Sequence, residues 1–153
     1  MADKSFLAAL RRQSRDGILL LADALALAQE MDSSLAVVEK TALAQGIWPE
    51  PYIRHRGLLS TDQQLQLLEA SVAVIGCGGL GGQVIEELVR LGVGRLIVVD
   101  PDRFAAHNLN RQLLCTMEEL GRYKVDAAVR RAMAVNPAVT VVPVRSTFFA
   151  GVD

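Results

Sequence analysis

The chain has 153 residues, of which 51% are apolar and 5% aromatic, and a formal net charge of −1. This length provides a hydrophobic core for about one domain. A charge near zero lacks the basic field that nucleic-acid-binding proteins use, so we expect no nucleic-acid partner. The apolar run at 18–28 is too short and too interrupted to span a membrane, and no membrane association is expected.

The N-terminal part is predicted to be helical. Residues 1–15 are either a charged helix or a frayed end, and Asp16 is expected to cap a helix over 16–31. The apolar positions of this helix nearly encircle it, so we expect it to be buried against this domain or another subunit. Lys4 and nearby arginines precede the apolar run as in a signal peptide, but Asp16 and Asp23 interrupt the pattern, and secretion is disfavoured.

A second short helix is predicted from a cap at Ser33 or Ser34 to a stop at Gly46. Two short helices with a tight join have the arrangement of a helix-turn-helix. The second helix is not basic, however, so packing or dimerisation is favoured over DNA binding. The segment 48–52 is predicted to be a connector, because neither of its prolines continues a helix.

The rest of the chain is organised around a strand, a glycine turn and a helix. The apolar, β-branched run 72–75 is typical of a strand buried on both faces. Gly76, Gly78 and Gly81 follow with G-x-G-x-x-G spacing, and 83–91 has the pattern of an amphipathic helix. This context is typical of nucleotide sites, because glycine tolerates positive φ and lets backbone N–H groups approach an anion.

A second predicted strand, at 96–99, ends on a carboxylate. Asp100 stands at its tip, where a βαβ nucleotide fold holds ribose hydroxyls. The polar loop that follows supplies Asn108 and Arg111, and the next helix supplies Lys124. These groups suit a triphosphate, since Arg clamps phosphate oxygens and Lys acts as a point charge. Nothing in the loop supplies a nicotinamide pocket, so an NAD-binding oxidoreductase is the less favoured alternative.

The last predicted elements complete a β-α-β-loop-α-β pattern. Thr116 and Glu119 are expected to form a capping box. A longer helix follows from about residue 122, with one apolar stripe formed by Val125, Ala128, Val129, Ala132 and Met133. A third strand is predicted over 139–144, where Pro143 indicates a strand end or a sheet edge.

We therefore predict an α/β protein with a Rossmann-like, three-layer parallel sheet over 48–153 and a small helical N-terminal extension over 1–47. The pattern is about half of a doubly wound sheet, so the second domain is expected to be truncated at its C-terminal end or completed by another chain. Cys77 and Cys115 form no disulfide or metal pattern and fit a reduced, cytoplasmic setting. A buried, inert role is favoured for Cys115 over a nucleophilic one.

Four motifs occur in order between about residues 52 and 144: Gly-x-Gly-Gly-x-Gly, Asp-x-Asp, Asn-Leu-Asn-Arg-Gln and Gly-x-x-Lys. Together they resemble the adenylating domain of the ThiF/MoeB/HesA family, bacterial relatives of ubiquitin-activating enzymes. The resemblance implies a homodimeric enzyme that uses ATP and Mg²⁺. Such an enzyme adenylates the C-terminal carboxylate of a small ubiquitin-like protein of the sulfur-carrier type, or of a peptide, and releases pyrophosphate.

The resemblance also implies a role for each matching residue. The residues expected to bind the nucleotide are Gly76, Gly78, Gly79, Gly81, Asp100, Asp102, Asn108 and Gln112. Among these, Asp100 is expected to hold the ribose and Gln112 to brace the loop. Those expected to act on the phosphates as catalytic residues are Arg111, Lys124 and Arg54. Arg54 matches the arginine of an Arg-Tyr-x-Arg-Gln motif that reaches the ATP of the other subunit.

Three positions differ from the family pattern. His107 stands where the family has serine, Pro51 where it has arginine, and His55 where it has glutamine. The family's Mg²⁺-binding aspartate, its zinc ligands where present, its thioester cysteine and its partner-docking surface are expected beyond residue 153. The 153-residue chain alone is therefore expected to be inactive, and a non-catalytic partner or scaffold subunit of the same fold is the alternative left open.

Overall fold

The computed structural model describes residues 4–148, which divide into two compact units, one ending at residue 69 and the other beginning at residue 70. The first unit is mainly helical. Its elements are α1 (Lys4–Gln13), β1 (Ile18–Leu19), α2 (Leu21–Glu30), α3 (Leu35–Ala44), β2 (Trp48–Pro49), a 3₁₀ helix (Glu50–His55) and α4 (Thr61–Glu69). Across the described residues, none of the helices has the length and apolar character needed to cross a bilayer.

The prediction that Asp16 caps a helix over 16–31 is wrong. Asp16 and Gly17 both have positive φ, 52° and 73°, so the chain reverses there. The reversal lets Ile18 pair in parallel with Trp48, and α2 begins only at Leu21. A long-range strand pairing thus replaces the first turn of the expected helix.

The second predicted helix and its caps are confirmed. Ser34 Oγ accepts a hydrogen bond from the Val37 N–H at 3.3 Å at the start of α3. Gly46, just after the helix, has φ +73°, a conformation that glycine adopts without strain. The connector at 48–52 is ordered, because Pro49 lies in β2 and Pro51 occupies the first turn of the 3₁₀ helix, where a missing N–H is tolerated.

A buried acid lies in the core of the first unit. Glu39 of α3 is fully buried, and its Oε2 accepts a hydrogen bond from the Tyr52 hydroxyl at 3.1 Å. Burial raises the pKa of Glu39 to about 7, and the hydrogen bond from Tyr52 only partly opposes this. The carboxyl group is therefore held in its protonated form well above the pH at which an exposed glutamate ionises.

This raised pKa predicts a pH-dependent stability that Glu39→Gln removes. The unfolded chain releases the proton near pKa 4.5, whereas the folded chain keeps it to about 7. Between these values the folded state binds more protons, so native stability falls as pH rises and levels off above about pH 7. Because glutamine does not ionise, the Glu39→Gln protein should not lose stability in this way. Relative to native protein, its free energy of unfolding should rise by up to about 3 kcal/mol between the lower and the upper end of this pH range.

Urea unfolding at a series of pH values measures this difference. Glu30→Gln, which removes an exposed carboxylate from the same unit, is the matched control and should follow the native curve. Identical pH profiles for native protein and Glu39→Gln would contradict the prediction.

The second unit contains a parallel sheet with helices packed on one face. Its elements are β3 (Ser71–Ile75), α5 (Gly79–Leu91), β4 (Arg95–Val99), 3₁₀ helices Ala106–Asn108 and Met117–Glu119, α6 (Lys124–Val135) and β5 (Thr140–Val144). The strand order is β3-β4-β5, with Ile75 opposite Val99 and Val99 opposite Val144. The helices α5 and α6 contact each other, so they share one face of the sheet. The predicted Rossmann-like α/β fold is confirmed, and the described residues 70–148 supply two of the three predicted layers, the sheet and one helical layer.

Burial in the sheet differs from the prediction for β3. Only Val74 of that strand is buried, and Ile75 is half exposed. The reason is that β3 is an edge of the described sheet, whereas in the central strand β4 both Leu96 and Val98 are fully buried. The edge position predicted from Pro143 is confirmed, because β5 is the other edge.

Two details of the C-terminal part are corrected. Met133 is 64% exposed, because the buried face of α6 runs through Ala128 and Ala132 and Met133 lies about 100° further round the helix. The capping box at 116–119 does not form, because the Glu119 carboxylate instead binds the Arg130 guanidinium. That pairing lowers the pKa of Glu119 and fixes the 3₁₀ helix against α6.

A candidate nucleotide-binding site at the glycine turn

The turn after β3 brings backbone segments into contact. Gly76 has φ +91°, and its N–H donates to the Val99 carbonyl at 2.7 Å, which ties the turn to β4. A Cβ on Gly81 would lie 1.8 Å from the Gly76 carbonyl oxygen, so α5 can approach the turn only with glycine at this position. Gly78 is the N-cap of α5 and offers no side-chain cap. The first N–H groups of the helix are therefore available to an anion.

Asp100 joins the second strand to this turn. The side chain is buried, with its Oδ2 accepting the Cys77 N–H at 2.7 Å and its Oδ1 accepting the Asp102 N–H at 2.8 Å. Each carboxylate oxygen has a second lone-pair direction that can accept a further hydrogen bond. Asp100 thus fixes the turn and still has acceptor capacity for a hydroxyl group.

Lys124 places a positive charge beside Asp102, two residues after Asp100. It is the first residue of α6, its side chain is only 9% exposed, and its Nζ lies 2.9 Å from Asp102 Oδ2. The Asp102 side chain is 63% exposed. A buried ammonium whose only ion-pair partner within residues 4–148 faces solvent can exchange that partner for a ligand anion at little desolvation cost.

The loop between β4 and α6 lies over the glycine turn. Asn108 is buried, and its Oδ1 accepts the Ala105 N–H at 3.0 Å, which fixes the first 3₁₀ turn. Gln112 is also buried, and its Nε2 lies 3.7 Å from the position of a Cβ on Gly78. Gln112 Oε1 has no hydrogen-bond partner among residues 4–148. A ligand N–H or O–H would satisfy this buried acceptor, so the site fits a nucleotide.

Arg111 contributes its backbone to this arrangement more than its charge. Its carbonyl oxygen lies 3.9 Å from the position of a Cβ on Gly79. Its guanidinium is exposed and donates to the His107 carbonyl at 2.7 Å and to Asn110 Oδ1 at 3.1 Å. The structure thus brings together the four glycines, Asp100, Asp102, Asn108, Gln112 and Lys124, with the Arg111 guanidinium hydrogen-bonded to its own loop.

Arg54 belongs to the first unit. It lies in the 3₁₀ helix Glu50–His55, its side chain is exposed, and it makes no hydrogen bond or ion pair with any residue in the range 4–148.

A stack of three side chains at the rim of the site was not predicted. Two guanidinium groups contact the Tyr123 ring, with the Cζ of Arg103 at 3.8 Å and that of Arg145 at 4.6 Å from its centroid. The Asp100 N–H donates to the Val144 carbonyl at 3.1 Å, so Arg145 begins next to Asp100. No local pattern reveals the stack, because its members come from three separate segments. The only available signal was the position of Arg145 directly after a strand.

The sequence profile of the "ThiF family" matches residues 52–150, which is more than half of the chain. The chain belongs to the ThiF family. Over 88 residues it is 49% identical to the sulfur carrier protein adenylyltransferase of Thermus thermophilus, covering 56% of this chain and 32% of that protein. Over 127 residues it is 35% identical to adenylyltransferase and sulfurtransferase uba4 of Aspergillus clavatus, covering 78% of this chain and 26% of that protein. The chain thus spans about a third or less of the length of these ThiF-family relatives.

Solved structures of similar proteins contain adenine nucleotides. Escherichia coli tRNA N6-threonylcarbamoyladenosine dehydratase in complex with AMP superposes with a TM-score of 0.62 at 26% identity, covering 64% of this chain and 40% of that one. E. coli MccB with ATP gives a TM-score of 0.61 at 26% identity, covering 65% of this chain and 31% of that one. Both of these neighbours were thus solved with an adenine nucleotide bound.

The described part of this ThiF-family chain offers no metal centre of its own. Between residues 4 and 148 there is no group of three or more His, Cys, Asp or Glu side chains that could hold a metal ion. The residues present therefore fit the nucleotide, and within residues 4–148 they supply no cluster of protein ligands for a metal ion.

Both cysteines of this ThiF-family chain are predicted to be unreactive in the folded state. Burial, reinforced by the Asp100 charge and only partly opposed by Lys124, raises the pKa of Cys77 to about 12. Burial also raises the pKa of Cys115. Because the thiolate is the reactive form, a disulfide reagent at about pH 7.5 should modify both thiols at least about 100-fold more slowly than in denaturant. Rapid modification of the folded protein would contradict this burial.

Proposed function

We propose that this protein is an ATP-dependent adenylyltransferase. It activates the C-terminal carboxylate of a small ubiquitin-like protein of the sulfur-carrier type, or of a peptide, as an acyl-adenylate. The observation that carries the proposal is the convergence of Lys124, Asp100 and the glycine turn at the carboxyl ends of neighbouring parallel strands. This edge is where open α/β sheets bind their ligands.

The binding roles follow from position along that edge. The N terminus of α5 after Gly78 faces the phosphates, and Asp100 accepts ribose hydroxyls with Asp102 in support. Gln112 uses its unsatisfied Oε1 to hold the bound nucleotide or the loop over it. Asn108 keeps the loop folded through its hydrogen bond from the Ala105 N–H and contacts phosphate from that loop.

Lys124 and Arg111 act on the charge that develops during adenylation. A carboxylate oxygen of the acceptor attacks the α-phosphorus, a new P–O bond forms, and the bond to the leaving pyrophosphate breaks. Lys124 transfers its hydrogen bond from Asp102 to a phosphate oxygen. Arg111 breaks its hydrogen bonds to His107 and Asn110 and binds the leaving group. No side-chain nucleophile is needed, so the work of the protein is positioning and charge neutralisation.

Arg54 is proposed to act in a second copy of the chain. An exposed guanidinium without a partner in residues 4–148 is free to reach beyond its own chain. In a homodimer it would contact the phosphates bound by the other subunit, as its match to the family arginine implies. The site of one copy is then complete only when the other is present.

A non-catalytic partner subunit is the second candidate. The observation that favours it is that Lys124 and Arg111 both already have partners in their own chain. Such a subunit keeps the fold for dimerisation and has no need of ATP.

ATP–pyrophosphate exchange separates the two candidates. The full-length protein is mixed with ATP, labelled pyrophosphate and a ubiquitin-like protein that ends in glycine. We expect label to enter ATP only when the acceptor carries a free C-terminal carboxylate, and an amidated acceptor is the control. No exchange with any such acceptor, together with no ATP binding, would favour the partner subunit.

A further inference from the structure

Glu39 is a buried acid that the proposed chemistry does not use. It is fully buried in α3, its Oε2 accepts the Tyr52 hydroxyl at 3.1 Å, and its Oε1 has no partner among the described residues 4–148. A buried polar atom without a partner is a substantial cost to stability. An apolar residue at this position would avoid that cost. The stability of the fold therefore does not explain why a carboxyl group stands here.

The partner of Glu39 belongs to the segment that carries Arg54. Tyr52 lies in the 3₁₀ helix Glu50–His55, and its ring packs in the core cluster with Leu43, Trp48 and Leu68. Tyr52 is an amphipathic residue that packs in apolar surroundings while its hydroxyl still needs a hydrogen-bond partner. Glu39 supplies that partner from α3 and thereby fixes where along the cluster the ring lies.

The same 3₁₀ helix is held at both of its ends. At the start, Glu50 Oε2 accepts the Leu21 N–H at 2.8 Å. At the end, the His55 ring stacks on Tyr52 at 6.2 Å between centroids, and its Nδ1 lies 2.7 Å from Gln64 Oε1 in α4. The residue between Tyr52 and His55 that faces solvent is Arg54. A fixed backbone therefore carries one exposed guanidinium group.

We propose that Glu39 is a positioning residue for Arg54, acting through the Tyr52 hydroxyl to hold the 3₁₀ helix at the angle from which Arg54 reaches phosphate. The inference rests on the proposed function, because it assumes that Arg54 contacts nucleotide. Glu39 itself touches neither nucleotide nor acceptor. Its carboxyl group, held protonated by burial, both accepts from Tyr52 and remains uncharged in the core.

A double-mutant cycle on ATP affinity tests this. Calorimetry with the complete protein measures ATP binding to native protein, Tyr52→Phe, Glu39→Ala, Glu39→Gln and Arg54→Ala. It also measures ATP binding to Tyr52→Phe, Glu39→Ala and Glu39→Gln each combined with Arg54→Ala. We expect Arg54→Ala to weaken ATP binding by about 10-fold and Tyr52→Phe and Glu39→Ala by about 3- to 10-fold. Glu39→Gln should stay within about 2-fold of native, because its amide oxygen still accepts from Tyr52.

The ATP affinities of the combined variants decide between the two explanations. Positioning through Arg54 predicts that Tyr52→Phe and Glu39→Ala have no further effect once Arg54 is alanine. Equal effects in both backgrounds would overturn the inference, since a merely structural role does not depend on Arg54. If Arg54→Ala alone leaves ATP binding unchanged, the proposed role of Arg54 is wrong and this inference falls with it. Tyr52→Phe, which removes one oxygen atom, keeps the test valid if Glu39→Ala fails to fold.

Discussion

Gly81→Ala is expected to unfold the second unit. The added Cβ would lie 1.8 Å from the Gly76 carbonyl oxygen and 2.8 Å from its carbonyl carbon, and both are backbone atoms that cannot move aside. Relief requires α5 to move away from β3, which breaks the packing of the whole helix. We expect a loss of more than about 4 kcal/mol, which is a large part of the stability of a typical domain. Thermal unfolding followed by circular dichroism measures the loss.

Gly79→Ala is the matched control for this prediction. Its Cβ would meet only the Arg111 carbonyl oxygen at 3.9 Å, an ordinary contact, and Gly79 is already the first residue of α5. Alanine has the higher helix propensity, so stability should change by less than about 1 kcal/mol. A Gly81→Ala protein that melts within about 2 °C of native would show that α5 does not approach the turn as closely as described.

Lys124→Met is expected to abolish most nucleotide binding while leaving the fold intact. The substitution removes the buried ammonium but keeps an unbranched apolar stem of similar length. Asp102 loses its partner, yet its side chain is 63% exposed, so water replaces the ion pair at small cost. Loss of a charged hydrogen bond to phosphate should weaken ATP binding by about 10- to 100-fold. Calorimetric titration with ATP measures the change.

Arg122→Ala removes the same unit of charge two residues away and serves as the control. Arg122 is exposed, and its backbone carbonyl, which accepts the Phe104 N–H at 3.0 Å, is retained. We expect ATP affinity to change by less than about 3-fold, the effect of general screening of a surface charge. Equal losses for Lys124→Met and Arg122→Ala would show that only net charge matters and that Lys124 has no specific role.

The parts of the fold that sequence predicts are those set by local chemistry. Gly76 and Gly81 mark a turn that only glycine can form, and the β-branched runs on either side of α5 mark the strands. Ser34 is recognised as a cap because its side chain acts on the N–H three residues ahead. Asp100 is predicted at a strand tip because it directly follows the apolar run 96–99.

The predictions that failed depend on partners distant in the chain. Asp16 begins no helix because Ile18 pairs with Trp48, and Glu119 forms no capping box because Arg130 takes its carboxylate. The contact between Glu39 and Tyr52 joins positions in different helices that no spacing rule connects. At Asp16 and Glu119 a tertiary contact outweighs a local preference of about 1 kcal/mol or less.

Titration of the 153-residue protein with ATP, and separately with NAD⁺, tests the central claim that this edge of the sheet holds a polyphosphate. We predict saturable binding of ATP at one site per chain, weakened by Lys124→Met but not by Arg122→Ala, and weaker or undetectable binding of NAD⁺. Tighter binding of NAD⁺ than of ATP, or ATP binding that Lys124→Met leaves unchanged, would contradict the account.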